Sequence, residues 1–286
     1  MFAQRHTINI QGKLMDFDTV RIMGILNVTP DSFYDGGKYL AKEKIKARVV
    51  QIIDEGADII DLGGMSSRPG AEVISAEEEW NRLEPALAVI REAEPDIPIS
   101  VDTFRAEIAE KAVSQYKAGI INDISAGEMD KSMFDFIADT NTAFIMMHMK
   151  GTPAGMQKNP EYEDIVADVM RYFHQKLAIL REKGVRDIII DPGFGFGKTL
   201  DHNYELFNYM DRLAALECPV LAGISRKSMI TRLFDISPEE SLNGTTSLHT
   251  LAISKGAGLL RVHDVAEAKQ VVRIMKKLES SINPNW

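Results

Sequence analysis

The sequence predicts an α/β fold: a single (β/α)8 barrel of the TIM type, preceded by an N-terminal β-hairpin. Three observations carry this. Strand-like and helix-like segments alternate along nearly the whole chain, and eight of the strand-like runs are apolar or β-branched, as in strands buried on both faces. A chain of 286 residues with 45% hydrophobic content can also bury one such barrel without a second domain. A doubly wound sheet is the runner-up. No long linker, charge block or low-complexity tract interrupts the chain, so residues 1–286 are expected to form one domain, with 1–20 as the hairpin extension.

Residues 7–11 and 13–17, hinged near Gly12, form the expected hairpin. The expected barrel strands are 21–26, 59–62, 99–101, 120–121, 143–147, 188–190, 220–222 and 258–262. Helical periodicity follows each of them. Ile45, Val49, Ile52 and Ile53 share a face that stops at Gly56. Ser75 and Glu78 form a capping box, but Pro85 is expected to split that helix in two. Ala106, Ala109 and Val113 mark a third helix, and Met133, Phe134 and Ile137 a fourth. Val166, Val169, Phe173, Leu177 and Leu180 line a longer fifth, ending at Gly184. Leu206, Met210 and Leu213 give a sixth, a second capping box at Ser237 and Glu240 opens extra helical material, and Val271, Met275 and Leu278 line the last helix.

A net charge of -9 and a pI near 5.3 disfavour a general nucleic-acid binder, so any anionic substrate must be held by a local basic cluster. The N-terminus carries no apolar signal region, and no apolar run reaches membrane-spanning length. Cys218 has no second cysteine to pair with, which fits a reducing cytoplasm, and it reads as a small buried side chain.

In a barrel, function belongs where strands end. Those positions hold Asn27, Asp61, Asp102, Asn122 with Asp123, His148, Asp191, Arg226 with Lys227, and Arg261 with His263. A ring of polar groups around one mouth must find partners or a ligand. The stretch IIIDPGFGFGK delivers Asp191 at the end of a strand, where Pro192 stops the ladder. Its glycines and Lys198 invite a phosphate-loop reading, but a P-loop needs glycine where Pro192 stands, and a dinucleotide fingerprint needs glycine where Lys198 stands. Asp102, Asn122 and Asp191 suit a heterocycle with several N–H donors, and Lys227 and Arg261 add positive charge. Asn27 offers a neutral oxygen for Mg²⁺ shared with phosphates, and loops 29–39 and 65–71 are candidate lids. His148 reads as a packed or hydrogen-bonded residue and not a ligand, and the methionines Met146, Met147 and Met149 as barrel-wall packing; His6, His174, His202 and His249 read as solvated.

Eight motifs then carry a resemblance. GILNVTPDSF, DLGGMSSRPGA, SVDT, NDIS, MHMKGTP, DPGFGFGK, SRKS and RVHDV occur in order at strand ends, and in this the chain resembles the dihydropteroate synthase family over nearly its whole length. The resemblance implies a (β/α)8 fold and the condensation of 6-hydroxymethyl-7,8-dihydropterin pyrophosphate with p-aminobenzoate, giving 7,8-dihydropteroate and pyrophosphate, in a cytoplasmic homodimer. It implies that Asp102, Asn122, Met147, Asp191 and Lys227 hold the pterin. Asn27, Ser67, Arg68, Arg261 and His263 would hold the pyrophosphate, Asn27 partly through Mg²⁺. Phe33, Pro69, Phe196, Lys227 and Ser228 would form the p-aminobenzoate site. The family often has Thr at the position of Ser67, and the hydroxyl is kept. A folate-dependent methyltransferase domain and a non-catalytic pterin-binding homologue are the alternatives; neither requires Asn27, the SSRPG loop and RVH together.

Overall fold

The structure, a computed structural model, describes residues 6–29, 38–65, 73–151 and 160–281. Strands β1 (Thr7–Ile10) and β2 (Lys13–Asp16) pair as an antiparallel hairpin. Eight parallel strands then close a barrel: β3 (Arg21–Asn27), β4 (Ile59–Gly63), β5 (Ile99–Asp102), β6 (Ile120–Asp123), β7 (Ala143–Met147), β8 (Ile188–Asp191), β9 (Val220–Ala222) and β10 (Ala257–Val262). β10 pairs with both β3 and β9, which closes the sheet on itself. The expected strands are all present; four run one residue further at the C-terminal end and β6 two, so that Asn27, Asp102 and Asp191 are the last residues of their strands.

Helices α1 (Lys38–Asp54), α2 (Ala76–Ala93), α3 (Ala106–Tyr116), α4 (Met133–Thr140), α5 (Ile165–Glu182), α6 (Leu200–Asn208), α7 (Ser228–Phe234), α8 (Leu242–Ser254) and α9 (Val265–Ser280) follow the strands in turn. Their apolar stripes bury against the outward residues of the strands; Val49, Leu83, Ile108, Phe173 and Val272 share a cluster with Ile22, Ile60 and Val101. Ser75 caps α2, its hydroxyl accepting from Glu78 N at 3.1 Å, while the Glu78 carboxylate turns to Arg82 and does not complete the box.

Three expectations are corrected. α2 passes through Pro85 unbroken. The proline ring is exposed while Leu83, Ala86, Leu87 and Ile90 are buried on both sides of it, so packing holds the two halves in one helix despite the missing hydrogen bond. The sixth helix stops at Asn208, and Met210 and Leu213 belong to a separate 3-10 segment, Met210–Leu216. Leu278 is 57% exposed, lying in the last turn of α9, away from the core.

Period-two alternation decides what the barrel holds inside. A second buried cluster joins Met23, Ile59, Ile120, Ile145, Ile189, Leu221 and Leu259 to Ile8, Ile10 and Phe17 of the hairpin segment, so the hairpin plugs the N-terminal end. Gly119 and Gly258 permit this closure: a Cβ on Gly119 would lie 2.4 Å from Ile10 Cγ2. Two residues further along the same strands stand Asp61, Asn122, Met147, Asp191 and Arg261, which therefore sit above that apolar layer at the opposite end.

Candidate active site

Strand register lines up the mouth. Asn27 pairs with Gly63, Gly63 with Asp102 and Asp102 with Asn122, a row across four neighbouring strands, while Met147 pairs with Asp191 on the far side. Of the expected residues, Asn27, Asp102, Asn122, Met147, Asp191, Phe196, Lys227, Arg261 and His263 lie on the strand ends and following loops of this one face, and Ser228 opens α7 directly after Lys227. Phe33, Ser67, Arg68 and Pro69, with most of the two candidate lid loops, lie outside the described residues.

The centre of the arrangement is Asp61, which sequence reasoning placed at the mouth without a role. It is fully buried, and its carboxylate accepts from Ser100 Oγ at 2.6 Å, from Asn122 Nδ2 at 3.3 Å and from Arg261 Nε at 2.6 Å. Arg261 reaches on with Nη2 to Asp102 Oδ2 at 3.0 Å. The two carboxylates hold the guanidinium charge well above its usual range, against the pull of burial. Burial pushes Asp102 up to about 7, with Arg261 opposing and Asp61, Glu79 and Asp123 adding like-charge repulsion. The side chain keeps a 15% exposed edge toward the mouth. A signal for Asp61 existed in its two-residue spacing from Ile59, which puts it inside the barrel.

Across the barrel, Asp191 Oδ1 accepts from Gly193 N at 2.8 Å, and Oδ2 lies on the side of Gly223, whose missing Cβ would stand 3.5 Å away. Burial raises the Asp191 carboxyl, and Lys227 opposes it. Lys227 is lowered to about 8 by burial, against the attraction of Asp191. Its ammonium donates to Phe194 O at 2.9 Å and lies 4.1 Å from the centre of the Phe196 ring. Phe196 packs with Met147, Ile124 and Met149 as an apolar wall.

His263 leads into α9, where its N–H donates to Ser225 Oγ at 3.2 Å and its carbonyl accepts from Arg48 Nη2 at 2.6 Å. Burial, then Arg261 and Arg226, lower its ring to about 4, so it enters the site as a neutral imidazole. Arg226, at a strained φ of 56°, turns away to clasp Asp264, with Nε and Nη2 at 3.1 and 2.5 Å from its two oxygens, tying the loop after β9 to the loop after β10. Asp123 also leaves the mouth: its oxygens accept from Ser125 N, Ser125 Oγ and Gly127 N, each at 2.7 Å, closing its own turn.

Among the described residues no cluster of three or more His, Cys, Asp or Glu stands ready as an all-protein metal site. The donor set fits a hard cation held mainly by substrate oxygens and water. Asn27 Oδ1 is a neutral oxygen beside Gly63, where a Cβ would come within 3.0 Å of it, so only glycine keeps that space open.

The class to which this barrel belongs is that of the pterin binding enzymes, whose family model matches residues 23–263. Within that class the chain belongs to the dihydropteroate synthase family, a family of transferases. It is 39% identical over 268 residues to the dihydropteroate synthase of Escherichia coli strain K12, covering 93% of this chain and 94% of that one. The Xanthomonas albilineans dihydropteroate synthase with 4-aminobenzoic acid superposes with a TM-score of 0.90 at 37% identity, covering 98% and 100%. The same organism's enzyme in complex with 7,8-dihydropteroate gives 0.86 at 36% identity, covering 97% and 100%.

Proposed function

We propose that this chain condenses 6-hydroxymethyl-7,8-dihydropterin pyrophosphate with p-aminobenzoate, releasing 7,8-dihydropteroate and pyrophosphate. The observation that carries this reading is the Asp61–Arg261–Asp102 chain, which sets carboxylates for a heterocycle beside a guanidinium for a leaving anion. Asp102, Asn122, Asp191 and Lys227 read the hydrogen-bonding edge of the pterin, with Met147 lining the slot. Arg261 and His263, with Ser67 and Arg68 of the loop after β4, receive the pyrophosphate. Phe33, Pro69, Phe196, Lys227 and Ser228 form the p-aminobenzoate site. Asn27 would hold Mg²⁺, which supplies charge neutralisation to the pyrophosphate.

An aniline nitrogen is a weak nucleophile, so the reaction is dissociative. The bond from the pterin methylene carbon to the pyrophosphate oxygen breaks first, leaving a cation spread over the pterin and a pyrophosphate anion. Asp102 and Asp191 stabilise the cation, and Arg261, Arg68 and His263 the anion. The amine then attacks the methylene carbon and gives up its proton to solvent or pyrophosphate. The barrel floor excludes water from the cation because Met23, Ile145, Ile189 and Leu221 fill it.

The same reading makes the chain a one-domain, cytoplasmic homodimer. Leu233 and Phe234 of α7, Leu251 of α8, and Ile274 and Leu278 of α9 expose apolar surface on three consecutive helices, as a self-association face requires. No helix among the described residues is long and apolar enough to cross a membrane, and Cys218 is buried with its thiol pKa raised by burial.

The test is to mix purified protein with the pterin pyrophosphate, p-aminobenzoate and Mg²⁺ and to follow pyrophosphate release. Turnover dependent on both substrates supports the reading, and none under any condition refutes it. Sedimentation of the protein and of Phe234→Glu tests the dimer.

A further inference from the structure

Lys198 closes the DPGFGFGK stretch, is 2% exposed and takes no part in the chemistry above. Its Nζ meets acceptors only: Gly193 O at 2.8 Å, Phe196 O at 3.0 Å, His148 Nδ1 at 3.0 Å and His148 O at 3.2 Å. An ammonium has three donors and no lone pair, so four converging acceptors select the charged amine and require His148 to carry its proton on Nε2. His148 is neutral: burial, then the Lys198 charge, lower it to about 2. Burial also draws Lys198 down, to about 7, with the Asp191 charge opposing.

This niche fastens one site loop to another. The loop after β8 lies so close to the segment after β7 that a Cβ on Gly193 would fall 2.0 Å from His148 O, and one on Gly197 2.4 Å from Lys150 O. Both glycines have positive φ, 67° and 59°, which turns their carbonyl groups as the niche needs. Tyr162 Oη holds the end of the loop through Gly197 O at 2.8 Å. Between the two carbonyls bound by Lys198, the Phe194 carbonyl faces the other way and accepts from Lys227. One short loop is thus gripped from behind by Lys198 while presenting Phe196 and the Lys227 contact to the mouth.

We infer that Lys198 is a positioning residue: its ammonium acts as a tethered cation that locks loop 193–197 onto segment 147–150, so that Phe196 and Lys227 form the p-aminobenzoate wall before substrate arrives. The inference rests on the site assignment proposed above.

Steady-state kinetics and calorimetry on the full chain test it. Lys198→Met keeps the hydrocarbon length and removes all four hydrogen bonds. Its KM for p-aminobenzoate should rise about tenfold, the order expected when a binding wall loses its alignment, while the Kd for the pterin pyrophosphate should rise only about threefold, because Asp191 and Lys227 touch the loop but Asp102, Asn122 and Arg261 stand on other strands. A purely structural lysine would lower the melting temperature and leave both constants alone. His148→Phe keeps an aromatic ring against Tyr172 and Phe173 but deletes one acceptor. It should raise the same KM by about threefold, a partial version of the same effect. If Lys198→Met does not fold, His148→Phe decides. Unchanged p-aminobenzoate KM in the folded variants, or equal losses for both substrates, overturns the inference alone. Absence of turnover by the wild-type protein overturns the proposed function and this inference with it.

Discussion

Arg261 and Asp61 stand 200 positions apart in the chain and meet with Nε 2.6 Å from Oδ2 at the centre of the barrel mouth. The carboxylate is fully buried and also takes the Ser100 hydroxyl, so it cannot turn toward water when its partner is lost. Asp61→Ala leaves Arg261 held by Asp102 alone and should cost about 3 kcal/mol of stability, the scale for breaking a buried ion pair. Urea unfolding measures this, and a loss below about 1 kcal/mol would mean the pair is solvent-screened.

Arg261→Ala should weaken binding of the pterin pyrophosphate far more than binding of the free 6-hydroxymethyl pterin. In the proposed reading the guanidinium answers the anion, and the ring is read by other groups. Titration calorimetry with both ligands compares them, and equal losses would refute the assignment.

Asp191→Asn replaces a carboxylate acceptor by an amide that presents N–H where the pterin edge also presents N–H. The expected loss is about 2 kcal/mol in pterin affinity, the difference between charge-assisted and mismatched hydrogen bonds. Unchanged affinity in calorimetry would count against the role.

The pH profile follows from Asp102 and Lys227. The Asp102 pKa lies near 7 in the folded state, well above its ordinary 3.8, chiefly through burial. The folded carboxyl therefore keeps its proton where the unfolded one has lost it. Its contribution to stability is complete below about pH 4 and is lost as pH rises toward 7. In the proposed mechanism the ionised form is the useful one, because it faces a cation. The kcat/KM profile should climb through pH 7 and fall again above the Lys227 value of about 8. Asp102→Asn should flatten the rising limb and lower the plateau about a hundredfold; a variant that keeps the limb would assign it elsewhere.

His249, expected to be solvated, is 1% exposed on the inner face of α8, and both of its ring nitrogens lack hydrogen-bond partners. Burial lowers it to about 4, with Asp264 opposing. The neutral ring is compatible with folding, and stability should fall as pH drops from about 6.5 toward 4, where the unfolded histidine protonates first. His249→Leu should make that acid slope shallower, leaving the shares of His148 and His263, and stabilise the protein by about 1 kcal/mol at pH 7, since two unsatisfied buried polar atoms disappear. Thermal unfolding at pH 5 and pH 7 checks both outcomes, and a variant less stable than the parent at both would show that the imidazole is satisfied in solution.

The spacing of Thr245, His249 and Ala252 on one helical face was a readable sign that His249 points inward, but polarity argued the other way and packing won. Pro85 is the reverse case, a local breaker overruled by apolar residues on both sides of it. The sequence by itself determined the eight strands, the hairpin and the list of polar residues at the mouth, because apolar periodicity and strand-ending residues are written among near neighbours in the chain. Only the tertiary structure decided that Asp61 joins Arg261 to Asn122, that Asp123 turns back into its own loop, and that Lys198 is buried among acceptors of Gly193, Phe196 and His148. Those relationships depend on barrel closure and strand register, which bring together side chains up to 200 residues apart and set the burial that fixes their charge. The stretch IIIDPGFGFGK shows both parts: its composition marked a site, and its contacts with His148, Lys150 and Lys227 fixed where each residue lies.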